Sequence, residues 1–404
     1  MSIFQSVIYY LFILAQLLVT FYIILPLLFI LVFSLSRLFK LKTSFEKSKI
    51  HLDKDFKFSI VITAYRETKF ILPLIDSIKR QNYQNFMVYI VADDCQDQIP
   101  NLLDNRINVI IPESPLHSKI KSIDFAVSKM DNETDAIIIF DADNLIHPDF
   151  IQTINNYFKK GFKVVQSNFK PKNIETHFAR MDAIGDMFNF FMEREVRMYI
   201  GISSCIWGAG IAIDYDLYKK VEYTKFLGGF DKKLQSYLVQ SVRHIAFAPT
   251  AILYDEKISS GASLEKQRTR WIRSYFDYFK ENLSILLKGF RKKKINLIFF
   301  GFLTLRPPLF LVLSLGFLFT LINFFIDVNI FYIWLCILLS FVLSFVTIIL
   351  IKSRNIKYLK SLLFLPLLIF RQFIALFNIK KAKKTFLPTE HTALIYITDI
   401  LKKK

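Results

Sequence analysis

The sequence predicts an α/β domain inserted between transmembrane helices. Three observations carry this prediction. Long apolar blocks lie near both ends of the 404-residue chain, the middle section alternates strand-like runs with helical patterns, and several of those runs end in polar side chains. Strands that alternate with helices form a mostly parallel sheet covered on both faces. A middle section of about 250 residues is ample for one such core.

The first element is a membrane anchor. No charged side chain precedes Arg37, and residues 7–35 exceed the roughly 20 needed to cross a bilayer. A cationic leader region and a small-residue cleavage site are both missing, so the segment reads as a retained anchor rather than a removed signal. Pro26 predicts a kink. The first charges are Arg37, Lys40, Lys42, Lys47 and Lys49. Cationic flanks stay on the cytoplasmic side, which places the middle of the chain in the cytoplasm.

Within that middle section, residues 58–64 (F-S-I-V-I-T-A) read as a strand. Residues 70–80 read as a helix with Leu74, Ile75 and Ile78 on one face. Further strands are expected at 86–92, 109–111, 136–140 and 162–166. Residues 136–144 read A-I-I-I-F-D-A-D-N, a wholly apolar run that ends in two carboxylates one residue apart. His147-Pro148-Asp149 then signals the start of a helix. Ligands of open α/β sheets bind beyond the carboxyl ends of strands, where Asp141 and Asp143 would sit. Such close carboxylates repel unless a cation lies between them. Oxygen ligands suit Mg²⁺ or Mn²⁺, ions that share their shell with substrate phosphates. Two other strands end alike, in Tyr65 and Glu67 and in Asp93 and Asp94, followed by Asp97. In a parallel sheet all three ends converge on one edge.

Beyond the strands, Gln267, Arg270 and Trp271 fall at i, i+3 and i+4, so one helical face presents an amide, a guanidinium and an indole. A guanidinium forks onto a diphosphate, and an indole offers an apolar platform for a sugar ring. Residues 273–294 read as an amphipathic helix lying in the membrane interface. Glu193, Arg194, Glu195 and Arg197 read as a solvated helix face or interface lip, and His147 and His244 as structural.

The second apolar block runs from 295 to 378. Arg306-Pro307-Pro308 interrupts it, so spans are expected at 307–326 and 330–351, with a turn at 327–329 between them. Residues 361–377 hold Pro366 and Arg371, and a cation is costly in hydrocarbon. That stretch reads as a kinked or interfacial helix, with a basic tail (379–404) on the cytoplasmic side. The net charge of +19 would suggest nucleic acid in a soluble protein. Here the lysines flank membrane segments, where anionic headgroups and topology account for them. Cys95, Cys205 and Cys336 lack metal-ligand spacing and imply a reduced compartment.

Taken in order, these motifs resemble the membrane-embedded family 2 glycosyltransferases, which include the cellulose, hyaluronan and poly-N-acetylglucosamine synthases. T-A-Y-R-E is similar to the family's nucleotide-binding Y-x-E at Tyr65 and Glu67. D-D-C-Q-D is similar to its first aspartate motif at Asp93, Asp94 and Asp97. Lys119 stands where the family has a lysine. D-A-D matches the metal motif at Asp141 and Asp143, and Q-R-T-R-W matches Q-x-x-R-W at Gln267, Arg270 and Trp271. The resemblance implies a GT-A-type, Rossmann-like domain over 41–272 that inverts the sugar's configuration. It also implies a UDP- or GDP-sugar donor, Mg²⁺ or Mn²⁺ as cofactor, and a polysaccharide or lipid acceptor. Asp231 matches the family's catalytic base, while Phe230 replaces the usual glutamate before it. Thr63, Arg66, Cys95 and Asp124 also depart from the pattern. F-L-P-T-E-H, at 386–391, resembles a C-terminal element of some members, which gives His391 a place at the site mouth. Extension of a polysaccharide, single-sugar transfer to a lipid, and a non-catalytic subunit of an export complex are the three functions in view.

Overall fold

The computed structural model describes residues 3–95, 102, 104–131, 133–223, 229–380 and 393–402. Asp97 and the 386–391 stretch lie outside the described residues. The chain opens with helix α1 (Ile3–Leu38), which contains Pro26. A short α2 (Ser44–Lys47) follows, closed by a reciprocal cap between Thr43 and Glu46.

The domain then builds one sheet. Its elements are β1 (Phe58–Tyr65), α3 (Ile71–Lys79), β2 (Phe86–Asp93), β3 (Ile107–Ile110), α4 (Lys119–Val127), β4 (Ala136–Asp141), β5 (Leu145–Ile146), α5 (Phe150–Lys159) and β6 (Val164–Pro171). They continue with α6 (His177–Phe190), a π turn at Phe191–Glu195, α7 (Val196–Ile200), β7 (Ile211–Asp214), α8 (Tyr215–Tyr218), α9 (Phe230–Ser241) and β8 (Ala246–Asp255). The spatial order is β3-β2-β1-β4-β7-β6-β8-β5.

Residues 136–140 form a strand because both of its faces are covered. Ile138 and Phe140 enter a core with α3 and α5, while Ile137 and Ile139 enter a second core with α4 and α9. All four are fully buried, and each such side chain contributes about 1.5–3 kcal/mol.

The sheet is mostly parallel, as expected, but mixed: β7 and β5 run against the other six strands. β1 runs parallel to β2 and β4, but β7 runs antiparallel to both β4 and β6. The 162–166 run becomes the longer β6. β5, β7 and β8 lack the clean signature of an apolar run bounded by turns: β5 has two residues, and β8 carries Pro249 and Thr250 exposed in its middle.

After β8 come α10 (Gly261–Asp277), α11 (Phe279–Arg291) and α12 (Ile295–Thr304). Gly289 and Gly301 let α11 and α12 meet backbone to backbone. A Cβ on Gly289 would lie 2.6 Å from the Ile298 nitrogen, and one on Gly301 would lie 2.6 Å from the Leu286 nitrogen.

The chain continues through α13 (Leu309–Ile326), α14 (Val328–Lys352), α15 (Ile356–Ser361) and α16 (Leu365–Phe377), and α17 (Ile397–Lys402) is the last described helix. Among the described residues, four helical stretches are long and apolar enough to cross a membrane: Ile3–Leu38, Leu309–Ile326, Val328–Lys352 and Ile356–Phe377. Gln16 of α1 ties three of these helices together. Its Oε1 accepts from Asn323 Nδ2 at 2.8 Å and from Trp334 Nε1 at 2.7 Å, the kind of polar contact that joins helices in lipid. The fourth stretch is broken by a 3₁₀ turn at Leu362–Phe364. Its Arg371 lies 3.8 Å from Glu265 of α10, so the cation meets a carboxylate outside the apolar stretch.

Residues 193–197 do not form a solvated face. Arg194 and Arg197 are buried, and the Arg194 guanidinium lies between the rings of Phe190 and Trp207. Arg306, from the loop before α13, reaches Glu193 at 3.4 Å, and Lys352 of α14 reaches Glu195. The π turn is therefore clasped by α14 and the loop before α13. Charged letters at helical spacing do not reveal such partners.

Candidate active site

Because β1, β2 and β4 are parallel and in register, their carboxyl ends align. Tyr65 is opposite Asp93, and Thr63 is opposite Asp141. The polar groups that end these three strands thus share one edge.

At the β4 end the chain turns through Asp141–Asn144. Asn144 closes this turn by accepting from the Asp141 amide at 2.9 Å, while its own amide donates to the Asp141 carbonyl at 3.0 Å. The Asp143 side chain is buried. Two ammonium groups converge on the turn. Lys119 donates to the Asp141 carboxylate and, at 2.7 Å, to the Gly208 carbonyl. Lys172, at the end of β6, donates to the Asp143 carbonyl. Burial pushes the Lys172 ammonium below its usual range, against the pull of Asp143, Asp255 and Glu256. Burial likewise lowers Arg270, and the Asp141 charge opposes that shift. Arg270 therefore lies within electrostatic reach of the carboxylate that Lys119 holds. The turn draws cations, and its donor set is oxygen, so it fits a hard divalent ion.

At the β1 and β2 ends the backbone is strained. Arg66, Asp94 and His117 adopt φ of 65°, 56° and 49°, a left-handed conformation uncommon for such residues and concentrated at functional sites. Arg66 Nε donates to Asp94 at 2.9 Å, and the Tyr65 hydroxyl meets His117 Nδ1 at 3.1 Å. Asp93 is buried and accepts from the Leu116 amide at 2.7 Å, which fixes the loop before α4. Glu67 is exposed and pairs with Lys69 at 3.0 Å.

Helix α10 carries Gln267, Arg270 and Trp271. Trp271 is 41% exposed, with the Arg268 guanidinium 4.2 Å from its ring centroid and the Trp207 centroid 6.3 Å away. Asp231 sits in the first turn of α9, with Lys232 3.7 Å away. Gly229, at φ 66°, provides the N-cap, so Asp231 is not the capping residue. Phe230 turns toward the Lys119 ammonium that holds the Asp141–Asn144 turn, 5.2 Å from its ring centroid. Among the described residues, no set of three or more His, Cys, Asp or Glu side chains is arranged to hold an ion.

Three residues near this edge escape sequence reasoning: Trp207, Gly208 and Lys172. A signal exists for the first two in W-G-A-G. Gly210 has φ 59°, and a Cβ there would collide with the Ser167 side chain and lie 2.9 Å from that of Leu253. The run must therefore pass close under β6 and β8. Lys172 carries no such signal.

Residues 56–274, more than half of the chain, match the family described as "Glycosyltransferase like family 2". The chain belongs to this family. Its α/β domain is a GT-A-type, Rossmann-like fold, with apolar helices on either side that are able to span a membrane. The chain is 30% identical over 110 residues to the amylovoran biosynthesis glycosyltransferase AmsB of Erwinia amylovora, a match covering 24% of this chain and 35% of that protein. The match thus spans about a third of that relative's length. Among solved structures it is similar to a mannosyltransferase from Pyrobaculum calidifontis in complex with GDP-Man and Mn²⁺, with 14% identity, 83% and 98% coverage of the two chains and a TM-score of 0.49. It is also similar to S. aureus TarS 1–349, with 15% identity, 56% and 66% coverage and a TM-score of 0.38.

Proposed function

We propose that this protein is a membrane-bound inverting glycosyltransferase. It moves a sugar from a UDP- or GDP-sugar to a growing polysaccharide, with its catalytic domain on the cytoplasmic side of a bacterial membrane. One observation supports this best: three aligned strand ends meet an oxygen-rich turn at Asp141 and Asp143 that is attended by Lys119 and Arg270. Asp141 and Asp143 would hold Mg²⁺ or Mn²⁺, with donor phosphates and water completing the shell. Such an ion supplies Lewis-acid stabilisation of the departing nucleoside diphosphate, worth several kcal/mol.

In this reading Tyr65, Glu67, Asp93 and Asp94 hold the nucleoside. The acceptor hydroxyl oxygen attacks the anomeric carbon as the bond to the diphosphate oxygen breaks, and that oxygen takes the bonding pair. Asp231 accepts the hydroxyl proton, a role worth about 10²–10⁴-fold. Lys119 and Arg270 offset negative charge that grows on the leaving group. Gln267 and Trp271 position the acceptor.

The test is incubation of membrane vesicles with labelled UDP- and GDP-sugars, followed by sizing of the product. Turnover that requires Asp143 supports the reading; absence of turnover with every donor overturns it. A second reading, transfer of one sugar to a lipid, is favoured by the small number of candidate spans, four among the described residues, since a polymer channel needs helices to line it. A product one sugar longer than its lipid acceptor would decide for it.

A further inference from the structure

A chain of polar contacts, buried at its centre, runs from the Asp141–Asn144 turn to the helix that carries Gln267, Arg270 and Trp271. Asn144, whose side chain closes the turn, donates from Nδ2 to Asp255 Oδ1 at 3.3 Å. Lys257 Nζ bridges the other Asp255 oxygen at 2.8 Å and Asp186 of α6 at 2.5 Å. One helical turn earlier, Asp182 accepts from the Ile258 amide at 3.4 Å and from Arg268 Nη2 at 2.7 Å. The Arg268 guanidinium then lies 4.2 Å from the Trp271 ring centroid. Asn173 locks the centre, exchanging hydrogen bonds of 2.7 and 2.8 Å with the Lys257 backbone. Asn144, Asn173, Asp182, Asp186 and Lys257 are all buried.

Stability alone does not account for this arrangement. Apolar side chains of similar volume hold buried elements together as well or better. The path instead joins the two halves of the site. It also runs through α6, whose Ala183 and Ile184 pack against Ile349 of α14 and Tyr358 of α15.

We propose that Lys257 and Arg268 are positioning residues that, through Asn144, Asp255, Asp186 and Asp182, hold the ion-binding turn and the Trp271 face in one geometry. This inference rests on the functional reading above, in which that turn binds a divalent ion and that face an acceptor. Supporting groups of this kind typically govern metal affinity or activity by about 10–100-fold.

The test uses full-length protein in lipid nanodiscs, with Mn²⁺ and either UDP or GDP as probes. Mn²⁺ affinity is read from the loss of the free-ion electron paramagnetic resonance signal. Donor KM and kcat are read in parallel with labelled UDP- and GDP-sugars. Arg268→Gln, distant from the turn along the chain of contacts, is expected to weaken Mn²⁺ at least about tenfold, and Arg268→Lys to recover part of that loss. Lys257→Gln should act in the same direction. Where it does not fold, a cycle of Asn144→Ala with Arg268→Gln decides the matter. Coupled residues give a double variant less impaired than the product of the single effects. Unchanged Mn²⁺ affinity in a folded Arg268→Gln protein, or a strictly multiplicative cycle, overturns the proposal alone. A wild-type protein that turns over no donor overturns the functional reading, and this proposal with it.

Discussion

The Lys119 ammonium is bound to the Asp141 carboxylate, although the two residues stand at opposite ends of their elements: Lys119 opens α4 and Asp141 closes β4. The same ammonium holds the Gly208 carbonyl at 2.7 Å, so one cation pins the donor turn to the segment before β7. Hydrogen bonds to charged groups contribute about 1.5–3 kcal/mol. Lys119→Met is therefore expected to lower kcat/KM by about 10–10²-fold, measured by initial rates on vesicles across donor concentrations.

The carboxylates at the turn predict metal dependence. Chelation with EDTA is expected to abolish transfer, and Mn²⁺ or Mg²⁺ to restore it. Asp143→Ala should lose at least about 10³-fold in turnover, as several kcal/mol of charge stabilisation disappears. Full activity of that variant would remove the turn from the reaction.

Gly210 predicts a stability effect close to the site. An alanine there is strained by φ 59°, and its Cβ runs into Ser167 and Leu253. A cost of about 1–3 kcal/mol follows. A thermal melt followed by tryptophan fluorescence should fall by several degrees, with Trp207 three residues away as an internal reporter.

His244 predicts a pH dependence. Its Nε2 lies 2.6 Å from the Gly201 carbonyl. Burial pushes the imidazole below its usual 6.5, against the hydrogen bond to Gly201 and helped by the Arg243 charge. A lowered value means the folded state prefers the neutral ring and binds fewer protons than the unfolded chain. The stability from keeping His244 neutral is present above pH 6.5 and is lost as the pH falls below it. The melting temperature of the detergent-solubilised protein should decline as the pH drops from 7 toward 5. His244→Gln, which keeps a donor for Gly201, should flatten that slope.

The parallel half of the fold was legible because its strands are short, continuous apolar runs. Residues 58–64, 86–92 and 136–140 all became strands, and the alignment of Tyr65, Asp93 and Asp141 follows from parallel register alone. The two reversed strands, β7 and β5, were not legible. β7 is four residues long and follows a glycine-rich run, so neither its strand character nor its reversed direction shows in hydrophobic periodicity. That reversal is what brings Trp207 and Gly208 to the edge where β4 ends. Charged clusters were also opaque: residues 193–197 look solvated in sequence, yet Arg194 is enclosed by Phe190 and Trp207, and Glu193 and Glu195 meet Arg306 and Lys352 more than 100 positions away.

The glycine contact between α11 and α12 has a mechanical meaning. α11 carries Leu287 and Phe290 exposed beside Lys288 and Arg291, an apolar and cationic surface suited to headgroups. Its Ile285 is buried in the same core as Leu234 and Leu238 of α9, the helix that begins beside Asp231. With no side chains between their backbones at Gly289 and Gly301, α11 and α12 have little freedom to roll past each other. In the proposed membrane-bound enzyme, a push from the bilayer on α11 would therefore be carried stiffly to the helix that holds the candidate base, which turns lipid composition into a variable worth measuring.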